Sequence, residues 1–193
     1  MADPGYIVDG VLTDGEAWVA VETETVSGDV ASVTFQSTDD GQVGDWSQYM
    51  DLVLICYAQT AATGGAHSYL DTYFNNDTTG ANYDRQRLEG DGSSATAALS
   101  TTFRLPVASL NLGANVFGAA VVHFFDINSG KYKSVLFNAA ADGDGSGHIK
   151  MGAVTWKSQA AITEIDLVGW QGTHDIKAGS VLSLFGVLPR MVA

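Results

Sequence analysis

From residue 16 onward the chain alternates apolar and polar side chains with a period of two, and short clusters of Gly, Asp, Asn and Ser interrupt it. Segment 16–26 sets Trp18, Ala20, Glu22 and Glu24 against Ala17, Val19, Val21, Thr23 and Thr25, which predicts a strand. Segment 30–37 follows after Ser27-Gly28-Asp29, and turn chemistry with β-branched content reads the pair as a hairpin. Segment 49–60 differs: Leu52-Val53-Leu54-Ile55-Cys56 is apolar on both faces, the pattern of a strand between two packed layers. Segments 67–75, 96–105, 115–127, 131–140 and 148–158 supply further strands, two of them joined by the reverse turn Asn128-Ser129-Gly130. At the end, Ile162, Glu164, Asp166 and Val168 fall on one side of an extended chain. Val181, Ser183, Phe185 and Val187 then alternate against Leu182, Leu184 and Gly186, so 161–170 and 178–187 read as a closing hairpin. No window of about 11 residues or more holds a 3.6-residue period, and only 106–114 suits a single helical turn. None of the three prolines lies inside a strongly patterned strand. About ten strands at this spacing predict an all-β, single-domain antiparallel β-sandwich of jelly-roll-like form.

Composition sharpens this in three ways. A chain of 193 residues that is 46% hydrophobic is long enough for one sizeable core, so residues 15–193 are expected to form one domain. Residues 1–14 form an N-terminal segment whose stretch 6–14 reads as an arm. The formal net charge of -13, with nine Lys and Arg, gives a field that repels phosphate, so neither nucleic acid nor an anionic membrane is an expected partner. The single cysteine, Cys56, excludes an internal disulfide and reads as a small buried thiol. No apolar run approaches the ~20 residues of a membrane span, and the start lacks the basic and apolar regions of a signal peptide. These features predict a soluble chain made in a cytoplasm.

Candidate chemistry is sparse. The chain has no nucleophile elbow, zinc-protease motif, P-loop or dinucleotide fingerprint, so no enzyme, catalytic residue or cofactor is expected. His67, His123, His148 and His174 are scattered, and His123, inside Val121-Val122-His123-Phe124-Phe125, reads as a satisfied core or interface histidine. Asp142, Asp144 and Ser146, followed by Gly147, match the start of a calcium loop, but the twelfth position is Ala153 where a bidentate Glu belongs. An acidic glycine-rich turn accounts better for that segment. Asp39 with Asp40, or Asp71 with Asp77, are carboxylate pairs of the type a glycosidase uses, in a chain acidic enough to hold such pairs by accident. Among the aromatic residues, Trp18, Trp156 and Trp170 suit sheet packing. Trp46, Tyr69, Tyr73, Asn76 and Tyr83 form the candidate ligand set if the protein binds glycans, because sugar faces stack on aromatic rings.

Several pieces together resemble a family. Tyr69-Leu70-Asp71-Thr72-Tyr73-Phe74-Asn75-Asn76-Asp77 leads to Gly80-Ala81-Asn82-Tyr83. Phe117-Gly118-Ala119-Ala120 follows, then Ala161-Ile162-Thr163-Glu164-Ile165-Asp166-Leu167 and Gly179-Ser180-Val181-Leu182-Ser183-Leu184-Phe185-Gly186-Val187. This combination, spanning residues 69–187, is similar to virion structural proteins of tailed bacteriophages, whose last strand commonly carries Tyr and Ile where Phe185 and Val187 stand here. The resemblance implies a jelly-roll-like virion protein, homotrimeric, with no catalytic residues to carry over. Within that group it implies a capsid decoration or cement protein bound to the major capsid protein or other virion proteins. The alternative is a receptor-binding protein of a tail or head fibre that recognises host surface glycans. The expected location is the virion, assembled in the host cytoplasm.

Overall fold

A computed structural model of the chain describes residues 7–8, 11–12, 18–65, 67–143 and 145–188. Its strands are β1 (Ile7–Val8), β2 (Val11–Leu12), β3 (Trp18–Thr25), β4 (Ser32–Gln36), β5 (Asp51–Thr60), β6 (His67–Phe74) and β7 (Tyr83–Gly90). They continue as β8 (Ala95–Ser100), β9 (Arg104–Ser109), β10 (Gly118–Phe125), β11 (Lys133–Asp142), β12 (Gly147–Trp156), β13 (Glu164–Gly169) and β14 (Val181–Val187). Among the described residues only single 3-10 turns interrupt them, such as Trp46–Gln48, Leu110–Leu112 and Trp170–Gly172. The protein is all-β, as the period-two pattern requires.

Twelve strands join in one hydrogen-bonded sheet that doubles over at β5. One layer runs β3-β14-β5-β10-β11-β12-β7-β8 and the other β4-β13-β6-β9; the end of β5 pairs in parallel with β9, Gln59 opposite Ala108 and Thr60 opposite Ser109. With the hairpins β7–β8 and β11–β12 set aside, eight strands remain, and consecutive ones mostly alternate between layers. In chain order they stack as 1-8-3-6 over 2-7-4-5, the double Greek-key order of a jelly roll. The two hairpins extend one edge of the larger layer as a four-stranded wing.

This topology overturns two pairings expected from the sequence. β3 and β4 do not form a hairpin: β3 pairs with β14 and β4 with β13. Likewise β13 and β14 do not close on each other, since β13 lies between β4 and β6 while β14 lies between β3 and β5. Each connection crosses from one layer to the other, and its Gly and Asp residues serve a crossing as readily as a hairpin turn. The segment expected as one strand over 96–105 breaks at residues 101–103, and the second strand runs through Pro106 into the region expected to be helical. Pro106 is tolerated because β9 pairs with β6 there, opposite Tyr69, and meets β5 only from Ala108 onward, so no ladder needs an amide hydrogen on its other edge. Of the N-terminal arm, only β1 and β2 are described, paired with each other as Ile7 with Leu12 and Val8 with Val11; the rest of 1–14 lies outside the described residues.

The core fills the space between the layers. Phe74 sits amid Trp156, Phe124, Tyr83 and Phe103, with ring centroids 5.4, 5.7, 6.0 and 6.0 Å away, which ties β6 of the small layer to β7, β10 and β12 of the large one. Leu54, Val122, Leu105, Ile165, Leu167 and Leu184 surround this cluster and are fully buried. Cys56 is buried among them, and burial pushes its thiol up to about 12.

Candidate functional site

Few of the residues singled out from the sequence reach the surface. Trp46 is 1% exposed: Asp45 starts its 3-10 turn by accepting from the Ser47 amide, and the Trp46 amide donates to Ser37 Oγ. Tyr83 is equally buried, its hydroxyl donating to the Asp77 carbonyl at 2.9 Å and accepting from the Phe74 amide at 3.0 Å. Tyr69 is buried as well, which leaves Tyr73, half-buried, and Asn76, exposed. A buried ring offers no face to a sugar, so these residues do not assemble a stacking platform. The Asn75 to Tyr83 turn is instead an architectural knot. Asn75 Oδ1 accepts from the amides of Thr163 and Glu164, while Asp77 Oδ2 accepts from Trp156 Nε1 at 2.8 Å and Asn82 Nδ2 at 2.9 Å. Burial alone would raise the Asp77 carboxyl, but these donors outweigh it and hold the group below the usual range.

The other candidates also find structural roles. At the calcium candidate, the Gly143 amide donates to the Ser146 carbonyl, closing a turn in which Asp142 pairs with Gly147; Asp144 lies outside the described residues. Among the described residues no cluster of three or more His, Cys, Asp or Glu is arranged to hold a metal. Asp71 holds Arg104 Nε at 2.9 Å and the Gln171 amide at 2.9 Å, away from any shared task with Asp77. Asp40 accepts from the Thr38 hydroxyl and the Gln42 amide within its own loop.

The unexpected feature is the outer face of the large layer. Because strand side chains alternate, burying Val135, Phe137 and Ala139 on β11 turns Ser134, Leu136, Asn138 and Ala140 outward. The ladder registers align these with their neighbours. One outward row runs Ile55, Val121, Asn138, Met151, Leu88, Ala97, and the next runs His123, Leu136, Ala153, Gln86, Leu99 from a buried Val53. A third runs Tyr57, Ala119, Ala140, Ile149. These rows contain no Lys, Arg, Asp or Glu. Leu99 is 78% exposed, Ile149 68%, Leu88 57% and Leu136 51%. His123 is the one histidine on this face, its Nε2 2.9 Å from the Asp51 carboxylate and its ring stacked on Phe125 at 3.8 Å. From β5 to β8 the surface measures about 25 Å by 20 Å, roughly 500 Å² in plan, at the upper end of what single-chain soluble proteins leave open. On the wing it deepens into a trough of about 820 Å³ lined chiefly by Leu88, Ala97, Leu99, Leu136, Met151 and Ala153.

The outer face of the small layer is the opposite in character. There Thr34, Asp166 and Tyr73 form one cross-strand row, with Glu164 beside them, and the Thr34 hydroxyl donates to Asp166 at 2.7 Å. Partial burial and the Asp166 carboxylate push the Glu164 carboxyl above its usual range.

Polar side chains anchor the wing from its inner face. Lys150, with no exposed side chain, donates to the Tyr69 hydroxyl at 2.9 Å and lies 3.3 Å from Glu89, which also accepts from Arg87 Nε at 2.7 Å. The Tyr69 hydroxyl is 3.1 Å from His67 Nε2, so its own hydrogen is free for that nitrogen. Arg85 Nη1 donates to the Arg104 carbonyl at 2.9 Å. Burial opposes charge on Glu89, but Lys150 and Arg87 hold its carboxyl below the usual range; burial and Lys150 keep His67 low and bring His148 down to about 4. The sequence reading does not anticipate this cluster, although Arg85, Arg87 and Glu89, at alternate positions of β7, share one face with Lys150 of β12.

No family model, curated protein or solved structure matches the chain.

Proposed function

We propose that this chain is a structural subunit of a larger assembly, a capsid decoration or cement protein of the phage virion type that its 69–187 segment resembles. The single observation that carries the reading is the apolar outer face on strands whose inner face already fills the core. A jelly roll needs only one apolar face per layer; here β5, β10 and β11 present two. Burying about 500 Å² of such surface is worth roughly 10 kcal/mol gross before the costs of association, enough to hold a subunit on a shell. The acidic outer face of the small layer then meets solvent, and the chain's net charge of -13 keeps the subunit soluble before assembly. Jelly rolls serve both capsids and lectins, so the fold favours neither. Burial of Trp46, Tyr69 and Tyr83 removes most of what supported glycan recognition.

The test uses phage particles stripped of this protein. The wild-type chain rebinds saturably and appears as density on the shell by cryo-electron microscopy. A Leu136→Asp, Met151→Asp variant keeps its circular dichroism and binds at least about tenfold more weakly, since each buried carboxylate costs more than 1 kcal/mol. Full-strength rebinding of the variant, or a shell that never binds the chain, would overturn the reading.

A further inference from the structure

We infer that the wing's terminal strand, β8, pairs antiparallel with β8 of a second copy, making the chain a weak two-fold dimer through a shared sheet. The inference rests on the free strand edge and stands independently of the shell reading. β8 has the sequence Ala95-Thr96-Ala97-Ala98-Leu99-Ser100 and pairs only with β7, so alternate residues direct their amide and carbonyl groups away from the molecule. Free edges invite further pairing, and proteins normally guard them with charge, proline or a covering loop. Among the described residues β8 has none of these. All six residues are exposed or half-exposed, and none is charged.

The other open edges are guarded, the free stretch of β9 by Pro106 and those of β3 and β4 by charge. β3 carries Glu22 and Glu24, and a second β3 would bring four carboxylates together. β4 has Glu164 and Asp166 directly beside it, opposite Gln36 and Thr34. Two carboxylates lie close to β8: Glu89, opposite Thr96, is held by Lys150 and Arg87, and Asp91, in the turn before the strand, is taken up by the amides and hydroxyls of Ser93 and Ser94. Charge therefore steers a second copy of this acidic chain to β8.

Register fits as well. A two-fold axis perpendicular to the sheet pairs odd positions with odd ones, so Ala95, Ala97 and Leu99 remain outward on both copies. Centred on Ala97 it sets Leu99 opposite Ala95; centred on Ala98 it sets Leu99 opposite Ala97. In either case the layer continues from eight strands to sixteen, and the two troughs merge into one across the axis. A six-residue pair covers a stripe about 20 Å long on each copy, of order 400 Å² per partner, half of what a standard interface buries. The dimer is accordingly reversible, with a dissociation constant in the micromolar range.

Sedimentation equilibrium of the full chain from about 1 to 200 μM tests this. The expected average mass climbs from one chain toward two across that range, and an Ala97→Lys, Leu99→Lys variant, which opposes like charges across the axis, shifts the midpoint at least about tenfold higher. A cysteine trap covers the case in which the lysines unfold the wing. Ala97→Cys or Ala98→Cys, whichever lies on the axis, forms a disulfide-linked dimer under mild oxidation. Thr23→Cys on β3 does not, and the native Cys56 is too buried to interfere. A mass that stays at one chain throughout, an unshifted midpoint in the lysine variant, or equal cross-linking at residues 23 and 97 would overturn the inference.

Discussion

Lys150 shows how single residues bind the wing to the jelly roll. Its ammonium has left water entirely and survives because Tyr69 and Glu89 receive it. Lys150→Ala leaves Glu89 with Arg87 alone and takes away the donor to the Tyr69 hydroxyl, so a loss of about 2 kcal/mol is expected in urea unfolding. Leu136→Ala, on the open face of the same wing, changes stability by less than about 1 kcal/mol because that side chain is half in water already. His148 supplies a pH dependence. Burial first, then Lys150 and His67, bring it down to about 4 from an unfolded value near 6.5, so the folded state resists the proton that the unfolded chain accepts. Stability is then complete above pH 6.5 and falls as pH drops from there toward 4, with about 2 kcal/mol lost between pH 7 and 5. His67 is shifted the same way and adds to the slope. Urea midpoints at pH 7, 6 and 5 measure it, and His148→Asn flattens the curve.

At the scale of elements, one tight point is where β10 passes β9. A Cβ on Gly118 would stand 2.6 Å from the Ala108 amide nitrogen, a backbone atom that has no room to yield. Gly118→Ala is therefore expected to lower stability by roughly 2 kcal/mol, while Gly90→Ala, whose nearest neighbour is 3.9 Å away, stays close to neutral; thermal unfolding of the two variants compares them. Strands are legible because a half-buried strand writes its period into the chain, and the alternation of Val181 to Val187 or Glu164 to Val168 holds in β14 and β13, while Ile162, set on the side of Glu164 by that period, lies before β13 and is buried. Partners were not legible. Ser27-Gly28-Asp29 turns the chain equally well within one layer or between two, and nothing local distinguishes a hairpin from a Greek-key crossing. The site was hidden for a related reason. The apolar run in β5 suggested packing on both faces, yet Ile55 is 42% and Tyr57 48% exposed. A strand buried within its own chain and one awaiting a partner share the same pattern.

For the molecule as a whole, the two outer faces give it a direction, acidic on one side and apolar on the other. The isolated chain is expected to enhance the fluorescence of an apolar dye such as anilinonaphthalene sulfonate while fully folded. A Leu88→Lys, Leu136→Lys, Met151→Lys variant loses most of that signal with an unchanged melting temperature, since all three side chains are half-exposed or more. The position of β14 between β3 and β5 has a consequence in time. Of the twelve strands in the large sheet, translation delivers β3 first and β14 last, separated by more than 150 residues in register pairs such as Thr25 with Val181. Until then β5 is an open edge and β3 has no strand beside it, and the final strand must enter between the two. Folding is accordingly slow and postponed until synthesis has passed Val187. A chain stopped after Ser180 should show no cooperative unfolding transition by circular dichroism, however many of its other strands are present.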